Sequence, residues 1–141
     1  MAADCDGRAA MPAWLSPTVW ASAQLSPDAL PALAVSGVRR IISNRPDGEE
    51  PGQPTAAEME AAARAAGLTF AWIPVSGLPG PDQVAAVADL LADGAPTVMF
   101  CRSGMRSAAA WAMAERLRGA DADDLREAAA AAGFDLGRVP L

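Results

Sequence analysis

Short apolar runs alternate along the chain with longer Ala-rich amphipathic stretches, and turn signals separate them. Val19-Trp20-Ala21 has the length and composition of a short edge strand. Ser26 followed by Pro27 then marks a helix start with an N-cap and Pro at the first position, running to about Ser36-Gly37. Residues 38–42 are predicted as a buried strand, and a long polar loop follows from Ser43 to Pro54. Thr55 and Glu58 have capping-box spacing, so a second helix is expected up to Ala66, with Gly67 as its stop. Residues 68–73 form the next predicted strand, and Pro81-Asp82 opens a third helix that Asp93-Gly94 closes. Thr97-Val98-Met99-Phe100 is the kind of fully apolar run that a parallel sheet buries on both faces. A helix to about Leu117 follows, then a last one from Asp121 to Ala132. Strands alternating with helices at this spacing predict an α/β fold with a mostly parallel central sheet flanked by helices. Residues 1–13 are small, polar and Pro-punctuated and read as a flexible arm. Residues 14–141 read as one domain, with no internal repeat or linker.

Composition narrows the chemistry. The chain has 141 residues, no His and no Tyr, and all 11 of its basic residues are Arg. The absence of His excludes Ser-His-Asp and Cys-His mechanisms and His-ligated metal sites, and the absence of Lys excludes Walker loops and Schiff bases. With a net charge of -6 there is no basic footprint for nucleic acid. No apolar run approaches the ~20 residues of a membrane span, and no signal peptide is visible, so a cytoplasmic location away from membranes is expected. Two cysteines, Cys5 and Cys101, allow one disulfide at most and no metal knuckle. No cofactor is implied.

One segment carries chemistry. Cys101 is the first residue beyond an apolar strand, where parallel sheets bind ligands, and Ser103-Gly104 supply a tight turn into a helix. The helix N-terminus and the charges of Arg102 and Arg106 favour a negatively charged sulfur and an oxyanion bound in the backbone cradle. Asp47 and Asp82 lie on loops expected at the same sheet edge and are candidate general acids. Asp47-Gly48 is also ordinary turn chemistry, and Asp82 an ordinary first-turn helix residue. Arg45, held extended before Pro46, either points into the crevice or pairs with Glu49 or Glu50. Trp72 and Trp111 read as core.

Cys101-Arg-Ser-Gly-Met-Arg-Ser107 after an apolar strand resembles the active-site loop of rhodanese-type sulfurtransferases. Together with Asn44 to Pro54 and Ile73-Pro-Val-Ser76, it resembles the phosphatase-like domain of the beta-lactamase hydrolase-like family. The likeness continues through 119–123 and 132–136. It implies a three-layer α/β/α fold of the cysteine-phosphatase or rhodanese kind, with the phosphatase strand order favoured. It also implies a Cys101 nucleophile, Arg106 as a catalytic arginine, and Arg102, Ser103, Gly104, Met105, Ser107 and Arg45 around a small anionic sulfur or phosphate substrate. A metallo-hydrolase-like, persulfide-handling partner protein is a further implication, since relatives of this domain are fused to such domains.

Loop length separates the activities. Phosphatases carry Cys-x5-Arg, whereas here Arg106 is the fifth residue after Cys101 and Ser107 stands at the phosphatase arginine position. A six-residue loop is rhodanese-sized, so the first expectation is a sulfurtransferase passing sulfane sulfur through a Cys101 persulfide. A cysteine phosphatase acting through a phosphocysteine is the alternative. A non-catalytic module sensing sulfide or oxyanions is a third.

Overall fold

The computed structural model describes residues 13–141. Its five strands are β1 (Ala13–Ser16), β2 (Val19–Ser22), β3 (Arg40–Ser43), β4 (Thr69–Trp72) and β5 (Thr97–Phe100). They form one sheet in the order β1-β2-β5-β3-β4. All neighbours are parallel except the β1–β2 hairpin, as the alternating pattern predicts. Val19–Ser22 is not an edge strand, however. β1 covers its outer side, and the Thr18 carbonyl accepts from the Thr97 amide as β2 enters its pairing with β5. Ala13, assigned above to a flexible arm, begins β1, while the rest of that arm and Cys5 lie outside the described residues.

Among the described residues, five α-helices flank the sheet: α1 (Leu30–Val35), α2 (Ala56–Ala65), α3 (Pro81–Leu91), α4 (Met105–Leu117) and α5 (Ala122–Ala131). The helix expected from Pro27 is split, with a 3-10 turn over Pro27–Ala29 leading into α1. Alternation along the strands divides the core in two. Ile41, Val98 and Phe100 face α1 and α2 with Leu30, Met59 and Ala63, whereas Ile42 and Met99 face α3, α4 and α5 with Val87, Trp111 and Leu125. Both faces are thus covered by apolar side chains, which explains why β3 and β5 are buried at every position. The small side chains of Ala108, Ala109, Ala110, Ala112 and Ala114 let α4 lie close to the sheet, where all five are buried. That places the N-terminus of α4 directly after the end of β5.

Candidate active site

The backbone turns sharply at Gly104, the N-cap of α4, with φ 97. This left-handed conformation suits glycine and aims its amide back at the strand end. The Gly104 N–H donates to Cys101 Sγ at 3.0 Å. Cys101 is fully buried and is a free thiol, its own amide donating to the Ser22 carbonyl at 3.3 Å. Sulfur and helix N-terminus are therefore brought together by six contiguous residues, as the local sequence predicts.

Arg106 completes the cradle, but a distant residue sets its position. One of its terminal nitrogens donates to Glu49 Oε2 at 2.8 Å and to the Val75 carbonyl at 2.7 Å, and the other donates to Glu49 Oε1 at 2.8 Å. The hydrogen bond to Glu49 is the main cause of its raised pKa; the neighbouring Cys101 sulfur acts in the same direction, and burial opposes both. Glu49 in turn is pulled down to about 2, chiefly by its hydrogen bond with Arg106 and further by Arg45, against the effect of burial. A carboxylate so held is ionised at any physiological pH. It cannot donate a proton there, so its role is to fix a guanidinium.

Arg45 does not point at the sulfur. It is 4% exposed, and its Nε donates to Glu49 Oε1 at 2.9 Å, while its two terminal nitrogens donate to Gln24 Oε1 at 3.0 Å and Glu50 Oε1 at 2.6 Å. Burial opposes its charge, but the hydrogen bonds and charges of Glu49 and Glu50 outweigh that and raise its pKa. Of the two roles weighed for Arg45, pairing is the one observed: it anchors the loop after β3 from beneath. Glu50 also reaches the exposed Arg102 at 3.2 Å and has a lowered pKa, first through its hydrogen bond with Arg45. The Arg102 carbonyl accepts from the Gln24 amide at 3.3 Å. Arg102 and Ser103 stand exposed on the rim, and Met105 is partly buried against the core.

Ser107 is turned away from the crevice. It is fully buried, and its hydroxyl donates to Asn44 Oδ1 at 2.8 Å, while Asn44 Nδ2 donates to the Ile73 carbonyl at 2.9 Å. Asn44 also donates its amide to the Phe100 carbonyl at 2.8 Å and accepts from the Val75 amide at 2.9 Å. It thereby ties the ends of β3, β4 and β5 to α4. A substrate-binding role for Ser107 conflicts with this geometry, because as the third residue of the helix its side chain faces the sheet. Asp47 accepts from the Ala56 amide at 2.8 Å and so caps α2, and Asp82 is an exposed first-turn residue of α3. Among the described residues, neither is joined to Cys101 or Arg106 by a hydrogen bond or ion pair. Glu49, Asn44 and Gln24 were not expected at the site.

Comparison with known proteins identifies the fold and the family. A Neisseria meningitidis protein assigned provisionally as a phosphatase superposes with a TM-score of 0.74 at 30% identity, covering 88% of this chain and 89% of that one. Kinase-associated phosphatase, solved with its catalytic cysteine replaced by serine, shares the fold at a TM-score of 0.71 and 13% identity, over 88% of this chain and 84% of that one. Beta-lactamase hydrolase-like proteins match in sequence. The one from Agrobacterium fabrum is 36% identical over 109 residues, 75% of this chain and 25% of its own length. That from Xylella fastidiosa strain Temecula1 is 37% identical over 121 residues, 84% of this chain and 28% of its own length. The chain thus spans about a quarter of the length of these curated relatives. Residues 13–118 match the family model described as the phosphatase-like domain of the beta-lactamase hydrolase-like protein, and the chain belongs to that family.

Proposed function

We propose that the protein is a cysteine-dependent phosphatase-type hydrolase acting on a small anionic phosphate monoester. The observation that carries this reading is the pairing of the Gly104 amide with Cys101 Sγ at 3.0 Å beside an arginine that Glu49 and Val75 hold in place. The likeness to phosphatase folds supports phosphorus as the centre attacked. An Sγ lone pair forms the S–P bond as the P–O bond to the leaving group breaks. Gly104 and the helix N-terminus stabilise negative charge on sulfur, while Arg106 neutralises charge on the phosphoryl oxygens. Water then attacks phosphorus, the S–P bond breaks, and thiolate and orthophosphate are released. With Asp47 engaged at α2 and Glu49 ionised, leaving oxygens that depart as anions suit the site best, which favours aryl over alkyl esters.

Sulfur transfer is the second reading, and the six-residue span from Cys101 to Arg106 favours it. In that case Sγ attacks the sulfane sulfur of thiosulfate, sulfite leaves with the bonding pair, and a thiol or cyanide later takes the sulfur. Rates with an aryl phosphate and with thiosulfate plus cyanide, measured on the same preparation and its Cys101→Ser variant, test the two. Aryl phosphate turnover that the variant loses is expected. Cyanide-dependent thiocyanate formation with no phosphate release would give the second reading precedence.

A further inference from the structure

Glycine enters the left-handed region at little cost, and it can leave as easily. The φ of 97 at Gly104, which aims its amide at Cys101 Sγ, is therefore sensitive to what packs against it from outside the loop. A Cβ placed on Gly104 would lie 2.9 Å from Phe134 Cζ, 3.0 Å from Phe134 Cε1 and 3.3 Å from the Ser22 backbone carbonyl carbon. The ring edge and the β2 backbone thus close over the same side of the Gly104 Cα, leaving room for a hydrogen alone.

The ring is itself fixed by the sequence Ala132-Gly-Phe134. Gly133, at φ 97, ends α5 in a Schellman motif, its amide donating to the Ala130 carbonyl at 3.0 Å and the Phe134 amide to the Ala129 carbonyl at 2.8 Å. Leu136 and Val139, 1% and 5% exposed, pin the segment that follows into the core. These residues lie beyond the 13–118 that the family model matches.

We infer that Phe134 is a positioning residue for the Cys101 cradle, holding Gly104 in the conformation that directs its N–H at the sulfur. The inference rests on Cys101 being the nucleophile, but its test does not need turnover.

The test alkylates the full chain with neutral iodoacetamide at neutral pH and reads the rate on the peptide bearing Cys101 as a ratio to the rate on the Cys5 peptide. Phe134→Ala should lower the Cys101 ratio by about tenfold, the worth of one hydrogen bond to a charged atom. Phe134→Leu, which keeps an apolar side chain but loses the ring edge, should lower it in the same direction even where the Ala variant folds poorly. Phe134→Tyr, whose hydroxyl would stand on Cζ, the ring atom that faces Gly104, should lower the ratio as well. With an aryl phosphate, kcat should fall in the Ala and Leu variants while KM stays. An unchanged ratio in a folded Leu, Ala or Tyr variant overturns the inference. A protein inactive on aryl phosphate but with a Phe134-dependent ratio would defeat the phosphatase reading and leave the inference standing.

Discussion

Glu49 grips Arg106 with two hydrogen bonds of 2.8 Å across 57 positions of sequence, so the cradle's cation is set by the loop that follows β3. Replacing Glu49 with Gln removes the charge while keeping the shape. Arg106 then loses part of its anchorage but gains unneutralised charge toward an anionic substrate. The expected result is a kcat reduced by about tenfold or more with KM unchanged or lower, the scale of a charge-assisted hydrogen bond. Steady-state kinetics with an aryl phosphate check it, and a raised KM at constant kcat would assign Glu49 to substrate binding instead.

Acid titration reads the same pair. The Glu49 carboxyl falls from 4.5 to about 2 in the folded protein, chiefly through Arg106. A depressed carboxyl pKa means the unfolded chain takes up protons first as pH falls. The stabilisation is therefore complete above about 4.5 and is lost as pH drops toward 2. Urea midpoints of the parent and the Glu49→Gln variant should differ at neutral pH and converge through that interval.

The Asn44–Ser107 link predicts a stability effect separable from chemistry. Asn44→Ala leaves the buried Ser107 hydroxyl and the Ile73 carbonyl without their partner. It should cost about 2–4 kcal/mol by chemical unfolding, because orphaned buried polar groups carry the full desolvation penalty. Ser107→Ala should cost less, since only one acceptor atom is orphaned.

Asp47→Ala should remove the acceptor for the Ala56 amide and lower stability by about 1 kcal/mol, typical of a lost helix cap. Aryl phosphate kcat/KM should change only a few-fold, and Asp82→Asn should be close to neutral in both assays. A bell-shaped pH profile whose acid-to-base limb vanishes in either variant would restore that aspartate as the general acid.

How far the sequence was legible follows from the reach of each determinant. The Cys101–Gly104–Arg106 cradle is built by contiguous residues and could be read directly, as could α2, whose Thr55–Glu58 capping box forms as expected. Strand order was less accessible. Val19–Ser22 resembles an edge strand because it is short, and the four-residue β1 that covers it follows a Pro-containing segment with little pattern. The family resemblance places Ser107 around the substrate, yet helical geometry turns it into the core. Arg45 offered two roles, and only the folded loop decides between them. Glu49 and Phe134 fall in stretches that carry the resemblance, but nothing local names their partners until the fold brings them to Arg106 and Gly104.

The most direct test of the account is the covalent species formed on Cys101. The protein is mixed rapidly with an aryl phosphate, quenched in acid, digested and weighed peptide by peptide. A Cys101 peptide heavier by one phosphoryl group, absent from Cys101→Ser and accumulating at the rate of the first aryl alcohol released, is the predicted result. A peptide that never gains phosphorus but gains one sulfur atom from thiosulfate would contradict it.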